Sequence, residues 1–287
     1  MSFLRFIRNF IPILTFGFCV ILLSSNHASA ASNEKIYWNK SEKERFYEFG
    51  FTDDELANMT YDEYKKFKDL SGKLENKVTK YYKVTKLGMI EYDEETAVAE
   101  IRKEGKFKTE NINVAATADS GWIKLTLTST KIYDSYGRYT GEVQLKNSFQ
   151  WLTSPTWKLV DTLAISHSTH VLQIPGTAFA KYLWDDGVGT HSDNLYYPDA
   201  QNSSGIAFKI DIRGIGTNAP PTNHRGYMYF NVKKSTPNNN EANAYGHYSH
   251  VYFGVSSYSI NIYTGNISIS GAQQVKEAKD VSILFSL

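Results

Sequence analysis

Two histidine pairs are the residues of this sequence with the clearest potential for chemistry. His167 and His170 lie in HSTHVLQIPG, and His247 and His250 lie in GHYSHVYFG. Both stretches are rich in β-branched and aromatic residues, which favours strand over helix. Residues three apart on a strand point to opposite faces and lie roughly 10 Å apart, so neither pair can chelate one ion. A metal site would need one histidine from each stretch.

The candidate metal ligands are therefore His167 and His247, with the carboxylate of Asp185 completing the set. Since Cys19 is the only cysteine of the chain, zinc would need imidazole and carboxylate ligands. Asp185 also begins the loop DDGVGTHSDN, whose glycines and oxygen-bearing side chains loosely match a calcium loop. We predict that the protein holds no cofactor, and a Ca or Zn site is the alternative.

Other catalytic signatures are missing from the sequence. The Gly-x-Ser-x-Gly elbow of many hydrolases is absent. Ser166 and Ser168 flank His167, but sequence neighbours rarely converge as a nucleophile and its base. There is no phosphate loop and no dinucleotide-binding fingerprint. The sequence thus favours a non-enzymatic protein, and a metal-dependent secreted hydrolase is an alternative function.

Aromatic side chains are abundant and could form a binding surface, since the chain contains 20 Tyr and 5 Trp. Tyr and Trp combine a flat apolar face with a polar edge, which suits sugar stacking and protein interfaces. The alternative is that Tyr simply occupies the strand positions that it prefers. The predicted ligand-binding residues, placed in loops or on solvated strand faces, are Trp184, Tyr227, Tyr229, Tyr252 and Tyr258.

The first 30 residues have the pattern of an export signal. Arg5 and Arg8 precede the apolar stretch IPILTFGFCVILL, and Ala-Ser-Ala then ends at Ala30. The apolar stretch is too short to span a bilayer comfortably. We therefore predict a signal peptide over 1–30, cleavage after Ala30 and a secreted, extracellular protein. Because Cys19 lies within the signal, the mature chain would contain no disulfide.

The charge balance argues against nucleic acid as a partner. Without residues 1–30 the chain has 29 basic and 30 acidic side chains, so it is nearly neutral. A neutral protein has no overall attraction to the phosphates of nucleic acid or to anionic lipid. The predicted partner is a cell-surface glycan or protein, and an interaction with membranes is not favoured.

The chain divides into two regions with different hydrophobic periods. Residues 31–110 are predicted to form a small helical region with a helical hairpin, one strand and one helix, because capping boxes begin at Thr52 and Thr60. A propeptide is the alternative to a small helical cap. From about residue 111, segments such as GWIKLTLTST and GIAFKIDIRG alternate apolar and polar residues, as half-buried strands do. We predict a mainly β protein in which 111–287 form an antiparallel β-sandwich, with a β-barrel as the alternative.

The stretch YSINIYTGNISIS, 258–270, predicts a hairpin around Thr264 and Gly265. Alternating Ser and Ile would suit a half-buried hairpin, but it would also suit a strand between lipid and water. A membrane-active protein, either pore-forming or antimicrobial, is therefore a further alternative function.

Two segments, FTDDELANMTYDEYKKF and FQWLTSPTWKLVDTLAISHS, resemble uncharacterised exported proteins of low-GC Gram-positive bacteria. The resemblance implies secretion, and it assigns neither an activity nor a catalytic residue. Together these observations predict a secreted, non-enzymatic β-sandwich protein that binds a cell-surface, glycan or protein ligand through an exposed aromatic face.

Overall fold

The computed structural model describes residues 35–104, 121–214, 219–253, 258–272 and 274–287. The predicted signal peptide and its cleavage site after Ala30 lie outside the described residues. The described chain is mainly β, and two antiparallel sheets pack face to face as a sandwich, as the sequence predicts. In the described part neither sheet closes on itself, so the alternative of a β-barrel is wrong.

The elements follow one another in this order: α1 (Lys40–Glu48), α2 (Asp53–Ala57), α3 (Tyr61–Phe67), β1 (Ser71–Thr85), β2 (Gly88–Tyr92), α4 (Glu94–Lys103), β3 (Gly121–Tyr133), β4 (Tyr139–Trp151), β5 (Val160–His167), β6 (Val171–Gln173), β7 (Phe179–Asp186), β8 (Gly189–Leu195), β9 (Ala200–Asn202), β10 (Gly205–Asp211), β11 (Thr222–Lys234), β12 (Glu241–Phe253), β13 (Ser259–Tyr263), β14 (Asn266–Ser270), β15 (Gln274–Glu277) and β16 (Val281–Ser286). The described part of the region 31–110, residues 35–104, therefore holds two strands where the sequence predicts one. Because β1 pairs with β3, these strands belong to the sandwich itself.

Sheet A has the order β2-β1-β3-β4-β11-β7-β8, and β6 also pairs with β11. Sheet B has the order β15-β12-β5-β10-β9, and β16 also pairs with β12. The core between them takes Leu125, Leu145 and Phe230 from sheet A and Ile165 and Phe208 from sheet B. Apart from Ile165, these are apolar positions of the alternating segments, so the period of two correctly predicts which face of these strands is buried.

The outer face of sheet A is covered by α1, α2 and α3. Phe51 and Phe67 of this helical layer contact Tyr229 edge-on, with ring centroids 6.2 and 5.4 Å away, and Phe51 also meets Tyr227. The capping box at Thr52 forms with Glu55, as predicted. The helices thus bury the side of β11 that the alternation pattern would leave to solvent.

Buried ion pairs fasten the same helices to the sheet. Glu63 of α3 lies 2.6 Å from the ammonium of Lys181 on β7, and both side chains are almost fully buried. Glu55 of α2 lies 2.6 Å from Lys146 on β4. The Thr60 hydroxyl caps α3, but the carboxylate of Glu63 binds Lys181 and Tyr227 rather than closing the predicted second capping box.

The outer face of sheet B is covered by the β13–β14 hairpin, which forms where the sequence predicts it. Its Ile262 and Ile267 pack on Ala164 and Ala207 of sheet B. Gly205 allows this close approach, since a Cβ there would lie 2.3 Å from a carbonyl oxygen of β5 and 2.9 Å from Ile262. The alternation of Ser and Ile is explained by this packing. Within the described residues, no helix has the length and apolarity to cross a membrane.

Candidate functional site

The three predicted metal ligands do not meet in the structure. In the pairing of β5 with β12, His167 lies opposite Ala244 and His247 lies opposite Ala164. The two histidines are thus three positions apart in register and face opposite sides of sheet B. Asp185 belongs to the other sheet. The described residues contain no cluster of three His, Cys, Asp or Glu side chains that could hold a metal, so this ligand set is a wrong prediction.

These side chains have protein partners instead. His167 donates from Nδ1 to the carbonyl of Ser168 at 3.0 Å, and its Nε2 accepts from the amide of Gln173 at 2.9 Å. Burial lowers the pKa of His167, which favours this neutral form. Asp185 accepts from Arg225 at 3.0 Å, so its carboxylate is held in an ion pair.

Three other residues have the distances of a hydrolase triad. The Ser166 hydroxyl lies 2.8 Å from Nε2 of His247, whose Nδ1 lies 2.5 Å from the Asp280 carboxylate. However, Ser166 is fully buried, and the backbone N–H of Gly265 in the hairpin turn donates to its Oγ at 3.1 Å. Strand β5 also pairs on both sides, so its amides are not free to form an oxyanion hole. We interpret this group as a polar latch that holds the hairpin on sheet B.

The aromatic side chains predicted to be exposed are mostly buried. The exposed fraction is 0% for Tyr227, 2% for Tyr229 and 7% for Tyr258. The first two lie beneath the helical layer, which the strand pattern alone does not reveal. Tyr258 lies against β5, where its hydroxyl pairs with that of Thr162 at 2.8 Å. The predicted solvated aromatic face is therefore wrong at these three positions.

The remaining two predicted residues lie in separate places. Trp184 is partly buried and stacks on Tyr182 and His191, with centroid distances of 5.1 and 5.6 Å. Tyr252 is also partly buried, and it lines a cavity of about 290 Å³. The ammonium of Lys276 lies 4.2 Å from the centroid of the Tyr252 ring. Of the predicted ligand-binding residues, Tyr252 is the one that the structure places at this cavity.

The cavity at Tyr252 combines aromatic rings with polar side chains, and we name it the aromatic pocket. Trp151 at the end of β4 contributes one ring, and Trp157 in the following loop contributes another that is 47% exposed. The polar side chains come from β12, β15 and the β1–β2 turn. The lining includes Trp151, Trp157, His250, Tyr252, Gln274 and Lys276.

A buried hydrogen-bond network fixes the histidine of the aromatic pocket. Asp161 accepts from Nδ1 of His250 at 2.9 Å, from the amide of Val251 at 3.1 Å and from the hydroxyl of Tyr248. Trp151 donates from its indole nitrogen to Tyr248 at 2.9 Å. Burial raises the pKa of Tyr248, and the charge of Asp161 raises it further. His250, which is only 2% exposed but lines the pocket, is thus held by its Nδ1.

Sequence reasoning missed Trp157 and the pairing of His250 with Asp161. The signal for Trp157 was its place beside Pro155 in the polar loop TSPTWK, where an aromatic ring has no strand face to fill. The signal for His250 was weaker. Its partner lies 89 residues earlier in the chain, and only strand pairing brings the two together.

No protein-family model matches the chain, and no curated protein matches it. Among solved structures, the collagen-binding domain of Erysipelothrix rhusiopathiae surface protein RspB aligns at 6% identity and a TM-score of 0.29. The alignment covers 58% of this chain and 66% of that chain, slightly under two thirds of its length.

A second solved structure is described as the complete manganese lipoxygenase of Gaeumannomyces graminis and partial zonadhesin of Komagataella pastoris. It aligns at 8% identity and a TM-score of 0.15, over 76% of this chain and 89% of that chain. TM-scores this low carry no argument about function. The class of this protein is defined by its own fold, a mainly β sandwich with a helical layer on one outer face.

Proposed function

We propose that this protein is a secreted, non-enzymatic binding protein that holds a cell-surface glycan in the aromatic pocket. The observation that carries the proposal is the combination of the exposed Trp157 ring with His250, whose Nδ1 is bonded to the buried Asp161. Sugar rings pack their C–H faces on Trp and Tyr, and their hydroxyls need fixed polar partners. Nε2 of His250 and the amide of Gln274 supply such partners at the same cavity.

The size and lining of the aromatic pocket favour binding over cleavage. A volume of about 290 Å³ lies near the lower limit for ligand pockets, which suits a small saccharide unit. Glycoside hydrolysis generally needs two carboxyl groups across the scissile bond. The described residues that line the pocket include no Asp and no Glu. The pocket therefore has the groups to hold a sugar and lacks a carboxylate pair to hydrolyse it.

The experiment is a glycan array with the mature chain, followed by titration of the best glycan. We expect Trp157→Ala to weaken binding about fivefold or more, because stacking on one aromatic ring contributes on the order of 1 kcal/mol. Trp157→Phe should retain most of the affinity, since it keeps an aromatic face.

The control is Tyr136→Ala, which removes another exposed ring in the β3–β4 turn. It should leave both affinity and stability unchanged. The proposal fails if no glycan binds, or if the Trp157→Ala protein binds the selected glycan as tightly as the unaltered protein.

A further inference from the structure

The helical layer leaves part of the outer face of sheet A uncovered. Between the start of α2 and the start of α4 lies a cavity of about 610 Å³, which we name the polar groove. It lies on the opposite face of sheet A from the aromatic pocket, because Gln150 points outward while its neighbour Trp151 points into the core. It is thus a second cavity with its own lining.

The floor of the polar groove is a row of hydroxyl and amide side chains. Thr79, Thr126 and Ser148 lie side by side on β1, β3 and β4, as the register of the three strands shows. The next row along the strands pairs Lys124 with Gln150. These residues alternate with the buried core positions, so the sandwich holds them in fixed, neighbouring places.

Most charged side chains around the groove already have partners. Arg225 holds Asp54 through two hydrogen bonds of 2.6 and 2.8 Å. Lys146 pairs with Glu55 at 2.6 Å. Glu94, on the opposite wall, accepts from the hydroxyl of Tyr81 at 2.9 Å. These contacts fix the walls and pair the charges of Asp54 and Lys146, whereas Glu94 keeps its charge because its partner Tyr81 is neutral.

Two lysines among the described residues of the groove, Lys124 and the more exposed Lys77, make neither an ion pair nor a hydrogen bond there, and Lys124 is the more buried of the two. Burial lowers the pKa of this half-buried ammonium, and the charge of Lys77 lowers it further, while Glu94 and Glu55 oppose the effect. An ammonium that has lost water without gaining a counter-ion is stabilised strongly by an incoming anion.

We infer that the polar groove binds an acidic saccharide, whose carboxylate lies at Lys124 and whose hydroxyls lie over Thr126, Ser148 and Gln150. A polyol matches a floor of hydroxyls and an amide, because each such group can both donate and accept. The carboxylate of the ligand would form the ion pair that Lys124 lacks within the protein. The volume is about twice that of the aromatic pocket, which gives room for more than one sugar ring.

The experiment is calorimetric titration of the mature chain with oligosaccharides of galacturonate and of glucuronate. Their fully methyl-esterified forms are matched neutral ligands, and sodium sulfate tests a free anion. We expect at least one acidic oligosaccharide to bind and its ester to bind about tenfold more weakly or worse, since hydrogen bonds to charged groups are the stronger ones.

Lys124→Gln should lower the affinity for the acidic oligosaccharide about tenfold or more. Lys73→Gln makes the same change at an exposed position of β1 outside the groove, and its affinity should stay within about twofold. Ser148→Val tests the floor independently if Lys124→Gln alters folding, and it should also weaken binding. Trp157→Ala should leave this binding unchanged, which separates the groove from the aromatic pocket.

The inference is overturned if none of these acidic oligosaccharides binds, or if the Lys124→Gln protein binds as the unaltered one does. Sulfate binding as tightly as the oligosaccharide would also overturn it, because the hydroxyl floor would then contribute nothing.

Discussion

The two outer faces of the sandwich are covered by elements that are held in place by different kinds of interaction. On sheet A the helical layer is fastened by the buried pairs of Glu63 with Lys181 and of Glu55 with Lys146. On sheet B the hairpin rests on isoleucine and alanine side chains, with the Ser166 latch at its turn. One cover therefore depends on charge pairing inside the protein, and the other depends mainly on removing apolar surface from water.

This difference affects how precisely the position of each covering element on its sheet is fixed. A buried ion pair adds little net stability, because both ions lose their water, but leaving one partner alone is very costly. The helices must therefore dock where both carboxylates meet their lysines. Apolar packing tolerates small shifts more easily, and the hairpin gains a fixed position from the Gly265–Ser166 hydrogen bond. Substitutions in the two covers should therefore differ in their effect on stability.

Removing the carboxylate from the pair on sheet A should have the largest effect. Glu63→Ala leaves the fully buried ammonium of Lys181 without its counter-ion and should lower the free energy of unfolding by about 3–5 kcal/mol. Urea unfolding followed by tryptophan fluorescence measures it.

The control is Glu44→Ala, which removes an exposed i,i+4 pair with Lys40 in the same helical layer. It should cost less than about 1 kcal/mol. The double variant Glu63→Leu with Lys181→Met should recover much of the lost stability, since no charge is left unpaired. Equal effects of Glu63→Ala and Glu44→Ala would contradict the conclusion that the buried ion pair of Glu63 with Lys181 holds the helical layer on sheet A.

Truncating the apolar contact on sheet B should have a smaller effect. Ile262→Ala removes a buried side chain from the hairpin and should cost about 2–4 kcal/mol. Tyr263→Ala, one residue further along, removes an exposed ring from the other side of the hairpin and should change stability by less than about 1 kcal/mol. The same urea titration compares them. A loss at Tyr263 as large as that at Ile262 would contradict the observed orientation of the hairpin.

The third prediction concerns acid, which should act on the core between the two covers. His224 donates from Nε2 to the carbonyl of Pro221, so its Nδ1 must accept from the hydroxyl of Tyr182 at 2.6 Å. Burial, with a smaller effect of Lys158, lowers the pKa of His224 to about 3. Protonation of His224 would remove the nitrogen that accepts from Tyr182 and would place an imidazolium charge in the core.

Because the folded pKa lies below the unfolded value of about 6.5, the unfolded chain takes up this proton first as the pH falls. The stabilising contribution is complete above pH 6.5 and is lost between about pH 6.5 and 3. At pH 5 the loss should be about 2 kcal/mol relative to pH 8. His224→Gln should show a weaker loss over the same range, whereas His170→Gln, in a half-exposed turn, should follow the unaltered protein. Parallel pH profiles of all three proteins would rule out His224 as the group responsible.

Much of the fold could be predicted from local sequence. The period of two placed Leu125, Phe208 and Phe230 in the core, because successive strand residues face opposite sides. The box from Thr52 to Glu55 was correctly predicted, since capping depends on residues only three apart. In β15, by contrast, pairing with β12 outweighs the local helical character of the segment.

Much less of the candidate site could be predicted from the sequence. Tyr252 lines the aromatic pocket, but Tyr227 and Tyr229 are buried, because α1–α3 cover a face that the strand pattern leaves polar. The same covering explains Glu63, which local rules assign to a helix cap and which instead binds a lysine on β7. Partners more than 80 residues apart, such as Asp161 and His250, carry no local signal.

The sequence by itself determined the strand faces, most turns and the first helix caps, because these depend on steric and hydrogen-bonding preferences within a few residues. Only the tertiary structure decided which polar faces are covered, which carboxylate meets which lysine, and which histidine is held by an aspartate. Those outcomes depend on long-range strand pairing and on the docking of helices, which balance desolvation against pairing over the whole molecule. For this reason, the aromatic pocket and the polar groove could be recognised only once the sandwich was assembled.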